Sequence, residues 1–246
     1  MKSEETLDEL KKYGLKIIQP RHGYRFSLDP LLLCDFAAIN DGDKAVDLGA
    51  GCGIIPLILS RKAAGSQLVG VESQAEMAEL AGRNVALNGL SDRVDIRHGD
   101  ILDVRKLFPS SSFDLVVANP PYRKAGTGRI SPKKGRDTAR HESTATLHEF
   151  LASAKNLVKL SGRICFIYHP SRLVEFLGEA EALKLSPVRL RMVHGNSAAE
   201  ARMFLIELVK GRKYDLSVLP PLFVFKDNGE YTQEMEMIFG ETTGTV

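Results

Sequence analysis

The 246-residue chain contains no apolar run long enough to cross a bilayer. Its first residues, Met1 to Asp8, hold three acids where an export signal would have a basic start and an apolar stretch. No membrane-spanning helix and a cytoplasmic location are expected. Cysteine is scarce: Cys34, Cys52 and Cys165 lie far apart and lack zinc-ligand spacing, which argues against a disulfide framework or a metal cluster. They read as small packing residues in a reducing compartment. The chain also lacks a dominant charge, because a formal net charge of +2 is too small to name a partner. Internal repeats are absent too. The length and the mix of apolar and charged residues remain those of an ordinary α/β domain with a sizeable core.

From Lys44 onward, short apolar runs alternate with helical patterns. Ala45 to Leu48, Leu68 to Glu72, Val94 to Arg97, Leu115 to Ala118 and Ile164 to Tyr168 read as buried strands. Ile54 to Ala63, Gln74 to Leu87, Thr144 to Leu160 and Ser171 to Leu183 carry helical periodicity, with Asn88-Gly89 as a stop. This alternation predicts a mostly parallel sheet covered on both faces. Val188 to Val193 and Met203 to Val209, joined through Gly195 to Glu200, predict an antiparallel pair. Before Lys44, the runs Leu15 to Ile18 and Tyr24 to Phe26 flank a turn-rich segment and read as a hairpin, and Pro30 to Ala38 reads as a short helix. The expected division is a helix and hairpin extension, 1–40, packed on a main domain, 41–246.

Val46-Asp47-Leu48-Gly49-Ala50-Gly51-Cys52-Gly53-Ile54 falls where the first strand of that sheet turns into a helix. Glycines there permit tight turning and let backbone amides approach a ligand at the carboxyl end of a parallel sheet. A nicotinamide-type pattern asks for a third glycine or alanine where Ile54 stands, so the alternating glycines favour a methyl-donor nucleotide. Glu72 ends the next strand nineteen residues after Gly53, where a carboxylate can accept both ribose hydroxyls, and Asp100 follows the third strand, within reach of an adenine amino group. The same acids also read as a helix cap or surface charge, and the glycines as a plain structural turn.

Asn119-Pro120-Pro121-Tyr122 follows the fourth strand. An amino group conjugated to a ring or carbonyl is a poor nucleophile because its lone pair is delocalised. The Asn119 side-chain oxygen and the Pro120 carbonyl are suited to accept the two amino hydrogens and to aim the lone pair. Both acceptors bind more strongly as positive charge grows on nitrogen. Pro120 and Pro121 stiffen the turn, and Tyr122 offers a flat face for a base. No strong general base is needed, since the alkylated nitrogen sheds its proton to water. An isolated match of this kind would read as an ordinary Asn-Pro turn. Its placement after Phe113 to Ala118 points to chemistry.

Asp47 to Gly53 together with Asn119 to Tyr122 resembles the class I methyltransferase set used by amino-nitrogen methylases of DNA, RNA and protein glutamine. Ile17-Ile18-Gln19, Phe26 to Leu33 and Ala139-Arg140-His141-Glu142 are similar to segments of bacterial tRNA adenine N6-methyltransferases that modify the adenine beside the valine anticodon. The similarity runs from Leu15 to about Val209, with Pro30 standing where that family usually has alanine. It implies a Rossmann-like, seven-stranded, mostly parallel sheet with one antiparallel strand and helices on both faces. It also implies S-adenosyl-L-methionine as cofactor. By the resemblance, Ser27 and Asp29 lie near its methionine part, Glu72 at its ribose, and Asp100 with Ile101 at its adenine. Ser27-Leu28-Asp29 reads equally as an N-cap.

Between Arg123 and Arg140 there are seven basic residues, Arg123, Lys124, Arg129, Lys133, Lys134, Arg136 and Arg140, against the single acid Asp137, a net charge of +6. A loop of that charge directly after the tetrapeptide suits a phosphate backbone, and a single-stranded loop in tRNA offers a base that can be splayed out. A solvated charged loop is the plainer reading. RNA is therefore the expected partner, with no membrane, no metal and no obligate protein partner. The rival readings are glutamine methylation of release factors, whose enzymes usually carry a helical domain ahead of the fold where about forty residues stand here, guanine N2-methylation of ribosomal RNA, and an RNA-binding module without turnover.

Overall fold

The computed structural model describes residues 4–21, 27–121, 145–211 and 214–240. In chain order the elements are β1 (Glu5–Leu10), β2 (Leu15–Pro20), α1 (Asp29–Phe36), β3 (Lys44–Leu48), α2 (Ile54–Lys62), β4 (Gln67–Glu72), α3 (Ala75–Leu87), β5 (Val94–His98), α4 (Val104–Leu107) and β6 (Phe113–Ala118). There follow α5 (Leu147–Leu157), β7 (Val158–Tyr168), α6 (Leu173–Ala182), β8 (Leu185–His194), β9 (Ala201–Lys210), β10 (Ser217–Val218), β11 (Leu222–Phe223) and α7 (Gln233–Phe239).

The main sheet runs β5-β4-β3-β6-β7-β9-β8, and β9 is antiparallel to both of its neighbours. These are the seven strands that the resemblance implies. Two further strands of two residues each, β10 and β11, pair parallel to β8 and extend the edge beyond that expectation.

Because successive strand residues point to opposite faces, the apolar runs fill two separate cores. Ala45, Leu68, Leu115, Val117, Cys165, Ile167 and Leu205 pack with α1, α2 and α7. Val46, Leu48, Val116, Ala118, Ile164, Phe166 and Phe204 pack with α5 and α6. In the second core the Phe176 ring stands edge-on to Phe166 and Phe204, with centroids 5.5 and 5.4 Å away. Side chains buried this completely contribute roughly 1.5–3 kcal/mol each.

Two differences from the sequence expectation have physical causes. The helical pattern over Thr144 to Leu160 overruns the true helix end. α5 starts at a capping box between Thr146 and Glu149 and stops at Leu157, where Val158 turns extended. Val158 then pairs with Phe113, so the competition is won by the sheet edge that β6 presents. Gly162, four residues further along β7, has no room for a Cβ, which would lie 2.8 Å from the Asp114 carbonyl oxygen. At the N-terminus, β2 pairs with β1, turning through Lys11–Tyr13 and a left-handed Gly14 (φ +58°). The acidic start was not read as a strand, and Tyr24 to Phe26 lies outside the described residues. Among the described residues no helix is long and apolar enough to cross a membrane.

Candidate cofactor and catalytic site

Strand register places the motif residues side by side. Leu48 pairs with Val71 on one side and Ala118 on the other, and Glu72 pairs with His98. The segments that follow, Gly49 to Gly53, Ser73, Gly99-Asp100 and Asn119-Pro120, therefore leave the sheet together at its carboxyl edge. Strand order reverses between β3 and its neighbours, which is where open α/β sheets form a ligand crevice.

Gly49, Gly51 and Gly53 all have positive φ (+84°, +55° and +84°). Bulk is limiting as well at Gly53, where a Cβ would meet that of Ala81 at 3.1 Å, while a Cβ on Gly49 would touch the Phe150 ring at 3.7 Å. The loop's amides depart from expectation, because several are turned inward. Gly49 and Ala50 donate to the Val71 carbonyl at 2.9 and 3.0 Å, and Gly53 to Ala50 at 2.9 Å. Gly51 donates to Glu72 Oε2 at 2.8 Å. The glycines thus shape the crevice wall more than they line it with donors.

Glu72 is buried, and its other oxygen, Oε1, accepts the Gln74 amide at 2.9 Å. The Ser73 hydroxyl also donates to Oε1, at 3.5 Å. A carboxylate has about four acceptor positions, so three internal bonds, one of them long, leave room for one further donor at the strand end. Asp100 caps the turn Ile101–Asp103, its Oδ1 accepting the Leu102 amide at 2.9 Å. This is the cap that the sequence left open, and it uses one of the two carboxylate oxygens. Ile101 is buried beside it. Ser27 Oγ accepts the Asp29 amide at 3.3 Å just ahead of α1, whose N-cap residue is Leu28 without a side-chain cap bond, and Pro30 sits in the first turn, where its missing N–H costs nothing.

Asp47 is the anomaly. It is 2 % exposed, and neither carboxylate oxygen has a hydrogen-bond partner among the described residues. Burial first, and then the neighbouring Glu72 charge, push its pKa well above the ordinary carboxylate range. A buried orphan acid at the root of the glycine loop is costly unless a donor or cation arrives. The residues present thus fit a cationic nucleoside: an orphan acid, a partly occupied carboxylate at the next strand end, and a capping carboxylate at the third.

Asn119 is half-buried, Pro120 buried and Pro121 exposed at the end of β6. Tyr122 and the basic residues Arg123, Lys124, Arg129, Lys133, Lys134, Arg136 and Arg140 lie outside the described residues.

Three positioning residues escaped the sequence reading. Asn84, fully buried on α3, accepts the Ile18 amide at 2.7 Å and donates to the Ile18 and Cys52 carbonyls at 3.0 and 2.9 Å. It ties β2 to the glycine loop. Its signal was present as a polar residue on the inner stripe of an amphipathic helix, next to Ala81 and Val85. On α5, Phe150 lies against Gly49 and Ser153 Oγ donates to the Ile101 carbonyl at 2.8 Å. Nothing local in the sequence distinguishes these two from core residues.

Comparison with known proteins agrees with this geometry. The family model described as methyltransferase small domain matches residues 29–185. A tRNA1(Val) (adenine(37)-N6)-methyltransferase from Porphyromonas gingivalis is 34% identical over 164 residues, covering 66% of this chain and 64% of that protein. The chain thus matches a little under two thirds of that relative's length. A protein of the same name from a Flavobacteriaceae bacterium is 24% identical over 214 residues, 87% of each chain. Among solved structures, a predicted O-methyltransferase from Agrobacterium tumefaciens superimposes with a TM-score of 0.71 at 20% identity, over 85% of this chain and 94% of that one, which shows the shared fold. With this strand order and a family match over more than half its length, the chain belongs to the methyltransferase small domain family and has the Rossmann-like class I methyltransferase fold.

Proposed function

We propose that the chain is an S-adenosylmethionine-dependent methyltransferase acting on the N6 amino group of an adenine in tRNA, the adenine at position 37 beside the valine anticodon. The observation that carries this reading is the placement of Asn119-Pro120 at the end of β6, one strand away from the glycine loop and the orphan Asp47. When bound, S-adenosylmethionine supplies an electrophilic methyl group on a cationic sulfur. Asp47 would give that positive ligand an acidic partner, Glu72 would accept from its ribose, and Asp100 with Ile101 would hold its adenine. Ser27 and Asp29 stand at its amino-acid end.

The Asn119 oxygen and the Pro120 carbonyl accept the two hydrogens of the target amino group. This draws the nitrogen lone pair out of conjugation and toward the methyl carbon. The lone pair would then face the methyl group that S-adenosylmethionine would supply, and the methylated nitrogen would shed its proton to water. Pro121 stiffens the turn and Tyr122 stacks on the flipped base. The basic residues from Arg123 to Arg140 contact RNA phosphates. In this reading 1–40 is an extension packed on the catalytic domain, 41–246.

The choice of tRNA rests on the names carried by the relatives and on the basic segment after the tetrapeptide. Incubation with unmodified bacterial tRNA and a labelled methyl donor is expected to give N6-methyladenine at position 37 by nucleoside mass analysis and site mapping. Label in a release-factor glutamine, or N2-methylguanine in ribosomal RNA, with none in tRNA would overturn it.

A further inference from the structure

A second basic feature sits on the opposite edge of the sheet, where β6 and β7 begin and β9 ends. There a cavity of about 300 Å³ is walled by Arg105 from α4, Ser110 and Ser111 from the turn before β6, Lys155 and Asn156 from α5, and Lys210 from the end of β9. β6 separates it from Asn119 by roughly 20 Å at the usual rise per strand residue. It is thus distinct from the crevice described above.

Three cationic side chains converge there, and among the described residues no carboxylate lines the wall. Neighbouring basic residues on this edge have acidic partners, Lys106 with Asp103 at 2.8 Å and Lys159 with Asp114 at 2.7 Å. Arg105, Lys155 and Lys210 form no ion pair with another described residue. The Lys210 ammonium donates instead to two neutral acceptors, Ser111 Oγ at 2.9 Å and the Lys155 carbonyl at 3.3 Å. Its pKa is held below the ordinary lysine value by burial and by the positive charge of Lys155.

The turn is built to hold its donors. Ser111 takes a left-handed φ of +58°, unusual for a residue with a side chain, and its amide donates to the Asn156 carbonyl at 2.8 Å. Asn156 Nδ2 donates to Ser110 Oγ at 3.1 Å, which fixes the neighbouring hydroxyl. Because Ser111 Oγ already accepts from Lys210, its own proton is left to donate. The space equals about ten water volumes, so it admits a phosphate with a sugar attached, and three cations with hydroxyl donors match its oxygens.

We propose that this cavity binds a phosphate group, carried either by the RNA backbone away from the reacting base or by a free phosphorylated small molecule. The proposal does not depend on the methyltransferase reading, since its first readout uses no cofactor and no RNA.

Inorganic phosphate titrated into the full chain is expected to shift the amide resonances of Ser110, Ser111 and Asn156. The shift should be lost in the double variant R105A/K155A and retained in K155R. In a second arm, the double variant should bind unmodified tRNA about tenfold more weakly, with a salt slope shallower by about two units, if the pocket takes a backbone phosphate. K106A, which removes a paired lysine outside the cavity, serves as the control for general charge. Phosphate binding with unchanged tRNA affinity assigns the site to a small phosphorylated ligand. Absence of both responses, or an equal tRNA loss in K106A, would overturn the proposal.

Discussion

Replacing Asp47 by Asn tests the orphan acid directly, because the two side chains have nearly the same shape and only one can carry charge. Below about pH 4, the ordinary carboxylate range, Asp47 is protonated in both folded and unfolded chains, and the variant should match the wild type. Above that, the unfolded chain loses the proton while the folded one keeps it, since burial and Glu72 raise the folded pKa. The folded state then binds more protons than the unfolded one, so wild-type stability falls as pH rises, by at most about 1.4 kcal/mol per pH unit, until pH passes the folded pKa. The Asn variant has no such loss. For a chain of this size 1 kcal/mol moves Tm by roughly 2–4 °C, so the variant should gain about 3–6 °C on the wild type for each pH unit inside the window. Melting curves of both proteins from pH 4 to 8 measure this, and parallel curves would refute the argument. The same change removes the partner for a cationic ligand. S-adenosylhomocysteine, which keeps the charged amino group, should bind roughly 10- to 100-fold more weakly by calorimetry, matching about 1.5–3 kcal/mol for a charge-assisted bond.

Asn119→Ala removes one of the two proposed acceptors for the amino hydrogens. Single-turnover rates should drop by roughly 100-fold or more while cofactor affinity holds, and an unchanged rate would dismiss the proposed role. Glu72→Gln keeps one acceptor oxygen and puts an N–H₂ where Gly51 or Gln74 now donates, so cofactor binding measured by calorimetry should weaken by about tenfold or more. Asn84→Ala strands the Ile18 amide and the Ile18 and Cys52 carbonyls together, which should cost about 3 kcal/mol and lower Tm by roughly 6–12 °C. Gly53→Ala meets both a positive φ and the Ala81 methyl. It should lose roughly 1–3 kcal/mol of stability and widen the crevice, seen as a lower Tm and weaker cofactor binding.

The motifs were legible because they are local. Asp47 to Gly53 and Asn119 to Pro121 each sit within one strand-to-loop turn, and the apolar runs before them announce the turn by period alone. Strand identity in the sheet was legible for the same reason, whereas β1 was hidden behind an acidic start and the end of α5 behind a helical pattern that continues past Leu157. What the sequence concealed are side chains whose partners are distant. Asn84 looks like a flaw in an amphipathic stripe until Ile18 and Cys52 are brought to it. Arg105, Lys155 and Lys210 come from three elements and look like ordinary surface charge until the sheet closes around them.

The same holds for α5, whose helical pattern is plain in the sequence but whose distant partners are not. Phe150 in its first half lies near Gly49, Ser153 just past its midpoint donates to the Ile101 carbonyl, and its last turn supplies Lys155 and Asn156 to the basic cavity. One helix therefore touches the cofactor loop, the turn after β5 and the basic cavity. A ligand that tilted or tightened α5 from the Lys155 end would be felt at Gly49 through a ring that has only 3.7 Å to the position of an added Cβ. Substituting Phe150 by Leu keeps the core apolar but removes that contact. If the helix transmits such a shift, phosphate should alter cofactor affinity in the wild type and not in the Leu variant. Equal phosphate effects in both proteins would mean that α5 supports the two sites without coupling them.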